Sequence, residues 1–185
     1  MALNSSGPIS LAGTTAGQSI EIELGGNGTT QISLNDSSVR TLAGVPSGAI
    51  TMPTNFYGKS NTVTISYTFS STTANASLNV SSISGYSAGK SNITVTVNSG
   101  FYLYATSTSN AGLTLTGGST GDTITLVNNG YIMGKGGDGA QTQNKNGNPG
   151  GPALSLGFNT TVTNTSGYIT GGGGGGASTN IGGYG

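Results

Sequence analysis

Apolar and hydroxyl residues alternate through the middle of the chain. In residues 62–69, Val63, Ile65, Tyr67 and Phe69 share one face of an extended segment, and Thr or Ser occupies the other face. A period of two is typical of a strand that is buried on one side only. The pattern therefore predicts a strand here, and comparable runs follow at 76–80, 93–97, 101–104, 113–115 and 124–127.

Turn residues separate these predicted strands. Gly, Asn, Ser and Asp, which favour tight turns, cluster at 87–90, 98–100, 117–118 and 121–122. Short strands at such spacing are typical of a β-sandwich or of a β-solenoid, in which successive coils of the chain stack on one another. The sequence predicts a mainly β fold and leaves both architectures open.

A repeat links the end of this region to the residues that follow. The segment 127–137 returns in altered form at 163–173, and each copy is a short strand that ends in Gly-Tyr-Ile and leads into glycine. A repeat that joins a strand to a glycine tract is typical of a structural protein. The repeat therefore favours a scaffold or an adhesin.

The first sixty residues follow a different pattern, in which a hydroxyl residue between two apolar ones precedes a segment that stops at glycine. Three such phrases lie at 7–11, 30–34 and 48–52. They predict a small module with short helical turns, each of them marginal in isolation because helix nucleation is costly.

The best-marked turn follows the second phrase, where Asn35, Asp36 or Ser37 can cap a helix that ends at Gly44. Thr51 can cap another that ends at Gly58, with Pro53 just inside it. Residues 20–24 alternate like a strand, but comparison with the other two phrases favours a short helix that ends at Gly25.

Glycine dominates the end of the chain, where the run from Gly171 to Gly176 is the extreme case. Such a tract is a flexible coil unless it finds partners. Alternatively, glycine segments extend in a polyproline-II-like path and bond neighbours that lie too close for any Cβ. The chain thus divides into a module at 1–60, a β-rich shaft at 61–133 and a glycine-rich region at 134–185.

The amino-acid composition argues against several classes of function. Charged residues make up 5% of the chain, His and Cys are absent, and net charge is zero. Acid–base catalysis relies on His or on paired carboxylates, and nucleic acid or anionic lipid requires a basic surface. No apolar run approaches the length of a membrane-spanning helix. We therefore expect no enzyme activity, no nucleic-acid partner and no membrane insertion.

The content of large apolar residues is also low, since Leu, Ile, Val and Phe total 36 of 185 residues. Ordering each residue costs roughly 1–2 kcal/mol of backbone entropy, and glycine loses the most freedom. We therefore expect partner subunits to contribute to burial. A homotrimer would cover the sparse apolar faces and exposed strand edges.

Two apparent ligand motifs fail on inspection. Residues 134–139 have the glycine spacing of a dinucleotide-binding turn, but no helix pattern follows them. Asp138 is a single acid where calcium-binding glycine–aspartate repeats need several. The sequence therefore predicts no catalytic, cofactor or metal site.

Four aromatic residues can have either a structural role or a binding role. Tyr131 and Tyr168 either fill the ends of strand layers or supply contact area with a hydroxyl group. Phe56 and Tyr57 are either the core of the N-terminal module or its docking anchor. The sequence leaves both pairs of interpretations open.

Several segments carry a family resemblance. Residues 31–40, 48–52 and 55–60 resemble an N-terminal module of tail fibre and baseplate-associated proteins of tailed bacteriophages, including cyanophages. Residues 84–90, 97–100 and 121–134 resemble the fibre shaft of the same proteins. The glycine tracts are similar to those of phage tip adhesins.

The resemblance implies a structural virion protein whose N-terminus is held by tail or baseplate proteins and whose distal part faces a host cell-surface glycan or protein. Its end at Gly185, where such fibres usually continue, suggests a truncated chain or a short fibre. The implied attachment residues are Ile32, Leu34, Val39, Leu42, Phe56 and Tyr57. The implied host contacts are Tyr131, Tyr168, Lys135 and Asp138.

Two alternatives come from other classes. A secreted bacterial adhesin or surface-layer protein would share the composition and the β-rich pattern. A depolymerase would need clustered acids in a groove, whereas the five acids of this chain are scattered along it. We expect a non-enzymatic tail fibre protein.

Overall fold

A computed structural model describes residues 2–142 and 145–178 of the chain. The chain divides into two units, Met1–Thr62 and Val63–Gly185. Strands outnumber helices among the described residues, which confirms the mainly β prediction. No helix among these residues is long and apolar enough to cross a membrane.

Unit 1 contains three short helical segments, at the places that the three phrases predict. Helix α1 spans Ile20–Glu23, helix α2 spans Ser37–Ala43, and a 3₁₀ helix spans Thr54–Phe56. Gly44 ends α2 in a left-handed conformation with a φ of 72°, which glycine adopts without steric cost.

The cap of α2 differs from the expectation. Asp36 occupies the N-cap position, but its side chain makes no capping hydrogen bond to the helix. Its Oδ2 instead accepts the N–H of Ser33 at 2.8 Å. The carboxylate thus stabilises the turn that precedes the helix.

Buried carboxylates hold the loops of unit 1. Glu21 accepts the N–H groups of Asn27, at 3.0 Å, and Gly28, and Glu23 accepts the N–H of Asn61 at 2.7 Å. These bonds compensate for burial of the two acids beside the apolar core. The core consists of Leu3, Ile9, Ile20, Val39, Leu42, Ala43 and Phe56.

Unit 2 is a β-solenoid. All of its pairings between strands are parallel, in sheets ordered β1-β4-β7-β10, β2-β5-β8-β11 and β3-β6-β9. Each of the first three coils contributes one strand to every sheet. This arrangement is that of a β-solenoid and not that of a β-sandwich. The strands are β1 Val63–Phe69, β2 Thr73–Ala74, β3 Ala76–Asn79, β4 Ser91–Val97, β5 Tyr102–Tyr104, β6 Leu113–Thr116, β7 Thr123–Asn128, β8 Tyr131–Met133, β9 Leu154–Leu156, β10 Thr160–Thr163 and β11 Tyr168–Thr170.

The solenoid core forms from inward side chains that stack in register. Ile65, Ile93 and Ile124 occupy one such row of the first sheet. The alternation predicts Tyr67 on the inner face, and its register partner Val95 is fully buried there. Tyr67 is nevertheless 39% exposed, because β1 lies at the sheet edge and, among the described residues, pairs with β4 alone. Its ring instead packs edge-on against Phe69, with the ring centroids 5.0 Å apart.

The sequence repeat corresponds to one stacked coil. Tyr131 pairs with Tyr168 and Val127 with Thr163, so equivalent repeat positions are adjacent. Buried Asn128 donates its side-chain amide to Asn164 Oδ1, at 2.8 Å, and to the Tyr168 carbonyl, at 3.2 Å. A polar ladder therefore joins the two coils at the corner between sheets.

Three glycine-rich segments, 134–140, 145–151 and 171–178, run side by side. Backbone N–H groups of segment 134–140 donate to carbonyls of segment 171–178. In the same way, segment 171–178 donates to segment 145–151, and segment 145–151 donates to segment 134–140. Most of these bonds recur at every third residue. Three residues per turn is the period of polyproline II. The ordered alternative therefore applies to the described part of the tract, while residues 179–185 lie outside the described residues.

Most of the inward positions of these segments require glycine. A Cβ added at the inward glycines Gly134, Gly137, Gly147, Gly150, Gly172 or Gly175 would collide with a backbone carbonyl of a neighbouring segment. The outward glycines Gly136, Gly139, Gly173 and Gly176 meet nothing within 3.5 Å. Close approach of the three backbones, which allows the hydrogen bonds, therefore excludes side chains at the inward positions and leaves space at these outward ones.

We predict opposite effects from a matched pair of substitutions. Gly172→Ala places its Cβ against the Lys135 carbonyl and should lower the free energy of unfolding of unit 2 by about 1–3 kcal/mol. Gly173→Ala has free space and should be neutral, or stabilising by up to about 1 kcal/mol, because alanine restricts the unfolded chain. Chemical denaturation and amide exchange at Gly137 and Gly151 measure both; equal effects would contradict the three-segment packing.

Asp122 joins β4 to the turn before β7. Its Oδ1 accepts the N–H of Ser91 at 3.0 Å, and its Oδ2 accepts the N–H of Ser119 and the hydroxyl of Tyr86, each at 2.8 Å. Partial burial alone would raise its pKa, but these donated bonds outweigh burial and hold the pKa below its ordinary value.

A folded-state pKa below the unfolded value means that the ionised group stabilises the fold above about pH 4 and loses that effect as pH falls further. We expect Asp122→Asn to reduce the loss of stability between about pH 5 and pH 3, measured by denaturation at each pH. Asp138→Asn, at a side chain that is 70% exposed, is the control. An unchanged pH profile in Asp122→Asn would contradict the assignment.

Candidate functional site

Three tyrosines stack on the outer face of the second sheet. The ring centroids of Tyr102 and Tyr131 lie 4.5 Å apart, with the planes at 9°. Those of Tyr131 and Tyr168 lie 5.3 Å apart, with the planes at 5°. We call these three residues the tyrosine ladder.

Strand register produces this ladder. Tyr102, Tyr131 and Tyr168 occupy equivalent positions of β5, β8 and β11, and neighbouring strands lie about 4.8 Å apart. The next residues, Leu103 and Ile132, are fully buried. Since successive side chains point to opposite faces of a strand, burial of these residues directs the tyrosines outward.

The ladder presents ring edges and hydroxyl groups rather than ring faces. Both faces of Tyr131 are covered by its neighbours, while Tyr102 is 40% and Tyr168 64% exposed. Among the described residues, the three hydroxyls have no hydrogen-bond partner in the protein. Tyr168 is the last ring of the stack, so one of its faces has no ring against it within the described part of the chain.

A second outward row widens this surface. Tyr104 pairs with Met133, and Met133 with Thr170, and Tyr104 is 38% exposed. The sequence interpretation singled out Tyr131 and Tyr168 but missed Tyr102 and Tyr104. The available signal was the alternation at 101–104, which places both tyrosines on one face.

Lys135 and Asp138 lie on the glycine-rich segment that continues from β8. Their Nζ and Oδ1 atoms are 3.6 Å apart, and the side chains are 40% and 70% exposed. With three residues per turn, positions i and i+3 point the same way. An exposed ion pair of this kind stabilises the fold by at most about 1 kcal/mol and therefore adds little rigidity. Because the two charges are opposite, the pair leaves this surface neutral.

The predicted attachment residues fall into two groups within unit 1. Val39, Leu42 and Phe56 are buried in its core, and Ile32, Leu34 and Tyr57 pack against that core while partly exposed. The Tyr57 hydroxyl also donates to the Gly7 carbonyl at 2.9 Å. A partner of the folded unit can therefore touch only the second group, and the first group supports it from beneath.

The acids have structural roles wherever the structure describes them. Glu21, Glu23, Asp36 and Asp122 accept backbone N–H groups, and Asp138 pairs with Lys135. No group of three or more His, Cys, Asp or Glu within the described residues could hold a metal ion. The dinucleotide-like residues 134–139 form part of the extended glycine-rich segment and lead into no helix.

Sequence comparison places the solenoid in a known family. A family model described as phage tail fibre adhesin Gp38 matches residues 62–185, which cover the solenoid, the tyrosine ladder and the glycine-rich segments. Curated protein sequences and solved structures gave no match. Because the family model spans about two thirds of the sequence, the resemblance to phage tail fibre proteins is confirmed, and the chain belongs to the phage tail fibre adhesin Gp38 family.

Proposed function

We propose that this protein is a non-enzymatic adhesin of a phage tail that is held by tail or baseplate proteins through unit 1 and contacts the host surface through unit 2. The observation that carries the proposal is the exposed tyrosine ladder inside the segment that matches the adhesin family. The family favours a virion protein over the alternative of a secreted bacterial adhesin or surface-layer protein.

The ladder has physical properties that suit adhesion. Tyrosine offers a large contact area at a low cost in side-chain entropy, and stacking between neighbours restricts the rings before any partner arrives. Its hydroxyls can donate to or accept from a glycan or a protein. Contacts that are individually weak gain strength when many fibres on one particle bind the same cell.

Neutrality favours the same role. The exposed Lys135 and Asp138 compensate each other, and the chain has no net charge. A neutral surface approaches an anionic bacterial envelope without long-range attraction or repulsion. We propose that recognition depends on shape and hydrogen bonds, with these two side chains beside the ladder.

The attachment role of unit 1 rests on the resemblance of its segments to phage tail modules. Ile32, Leu34 and Tyr57 are partly exposed and pack over a closed core, as do Leu11, Leu24, Val45, Ile50 and Met52. A small preformed patch over a rigid core can dock without large rearrangement. We propose these three residues as the direct contacts with tail or baseplate proteins.

We also propose that the protein forms a homotrimer, although unit 2 does not need partner subunits to bury its core. Unit 2 already buries an apolar core within one chain. What supports association is the last coil. Within residues 2–142 and 145–178, β9, β10 and β11 each pair on one side only, and Leu156 and Val162 are 38% and 39% exposed. Such edges tend to be covered in native proteins.

We expect the ladder to be needed for adsorption. Particles that carry Tyr168→Ala should adsorb roughly tenfold more slowly to the bacteria that adsorb wild-type particles, because truncating an exposed aromatic anchor commonly costs more than 1 kcal/mol of binding. Tyr67→Ala is the matched control, since Tyr67 is also exposed and makes one ring contact, but lies on the first sheet. Thermal unfolding of both variants checks the fold.

The result that overturns this assignment is equal adsorption by particles with Tyr168→Ala and Tyr67→Ala. Loss of adsorption in both, with both proteins folded, would place recognition on a wider surface than the ladder. Either result is read from the free phage remaining at timed intervals.

We also expect the double variant Ile32→Ser with Leu34→Ser to lower the number of copies per particle, because both side chains supply the apolar part of the proposed docking patch. Quantitative mass spectrometry of purified particles measures incorporation, and Tyr168→Ala should incorporate normally. Electron density that showed unit 1 free and the glycine-rich segments embedded in the tail would reverse the proposed polarity.

A further inference from the structure

A polar cavity lies on the outer face of the third sheet, away from the side chains of the tyrosine ladder. Its volume is about 340 Å³. Ser77, Thr114 and Ser155 form its floor, because they occupy one register row of β3, β6 and β9. The remaining lining residues are Asn75, Ser109, Asn110, Ala111 and Pro152.

The polar side chains of this cavity are free to bind a ligand. The hydroxyls of Ser77, Ser109, Thr114 and Ser155 and the amide of Asn110 make no hydrogen bond within the described part of the protein. Asn110 is exposed, and the floor hydroxyls follow one another at the strand spacing of about 4.8 Å. Five unpaired donor–acceptor groups therefore converge on one concave surface.

Backbone and side-chain bonds hold one wall of the cavity in place. Asn75, in a left-handed conformation with a φ of 48°, donates to Thr106 Oγ1 at 2.7 Å and accepts the Thr106 N–H at 2.9 Å. The Ser109 N–H then donates to Ser107 Oγ at 3.2 Å. The wall that carries Ser109 and Asn110 is therefore fixed to the start of β3.

The opposite wall is equally constrained. The N–H of Leu113 donates to the Ala153 carbonyl at 2.9 Å, next to Pro152. Gly151 approaches Thr108 so closely that an added Cβ would lie 2.7 Å from the Thr108 Cα. A cavity with two fixed walls loses little entropy when a ligand enters.

The chemistry of the lining selects the ligand class. Hydroxyl and amide groups both donate and accept, as the hydroxyls of a sugar do. No charged residue of the described part of the chain lines the cavity, whereas recognition of a phosphate or carboxylate generally uses Arg, Lys or a helix N-terminus. The volume lies at the small end of the range for ligand sites, which suits one or two sugar units.

We propose that this cavity binds one residue of a neutral glycan through the hydroxyl row Ser77, Thr114 and Ser155 and the amide of Asn110. The inference deepens the adhesin function and rests on it for its biological role. The lining residues that the structure describes include no aromatic ring, so hydrogen bonds carry the binding. Each such bond replaces one to water, and affinity for a single sugar is therefore weak.

The test uses the full-length ¹⁵N-labelled protein titrated with methyl glucoside, methyl galactoside and methyl N-acetylglucosaminide, with glucuronate as the anionic comparison. We expect at least one neutral glycoside to shift the amide signals of Ser77, Asn110, Thr114 and Ser155. Thr114→Val keeps the side-chain shape but removes a floor hydroxyl, and it should raise the dissociation constant roughly 3- to 10-fold.

Thr125→Val is the matched control, because Thr125 is a half-buried outward threonine in an equivalent row of the first sheet. It should leave the dissociation constant unchanged. The proposal is overturned if none of the three glycosides shifts the cavity amides at tens of millimolar, if Thr114→Val binds as tightly as the wild type, or if glucuronate binds as tightly as the neutral sugars.

These outcomes are separable from failure of the adhesin function. Loss of the cavity signals with retained, ladder-dependent adsorption would remove the glycan site and leave adhesion in place. Glycoside binding by a protein whose ladder variants still adsorb normally would retain the cavity and remove the ladder from host contact.

Discussion

Parallel in-register stacking of coils is the constraint on which unit 2 depends. Because each coil places equivalent residues one strand spacing from those of the next coil, side chains of the same kind form rows. Ile65, Ile93 and Ile124 form a row in the core, and Asn128 bonds Asn164 at a corner. The tyrosine ladder and the hydroxyl floor of the cavity arise in the same way on the outer faces.

Backbone hydrogen bonds between glycine-rich segments stabilise the part of unit 2 in which apolar residues are scarce. In the segments 134–140, 145–151 and 171–178, backbone hydrogen bonds link each segment to the other two. Such bonds require backbones in close approach, which explains why the inward positions are glycine. Since every ordered glycine costs more entropy than other residues, this arrangement depends on its anchorage to β8 and β11, the strands from which two of the segments continue.

The outer faces of the solenoid carry two kinds of polar surface. On the second sheet, the ring edges and phenol hydroxyls of the tyrosine ladder lie over buried apolar residues. On the third sheet, a concave site carries small hydroxyls and an amide, with no charged side chain among its described lining residues. Both suit neutral targets reached through many weak contacts, which is the regime in which a multivalent particle gains most over a single molecule.

Local sequence patterns were sufficient to locate most of the individual elements. Alternation predicted strands such as β1 and β7, glycine after an apolar run predicted the end of α2, and the repeat at 127–137 and 163–173 marked a structural unit. These signals reach only a few residues along the chain. Pairing of Tyr102 with Tyr131, the choice of solenoid over sandwich, and burial of Phe56 beneath a partly exposed Tyr57 were decided by tertiary structure. Contacts between residues about 30 or more positions apart depend on how whole coils align, and a period of two is compatible with many alignments.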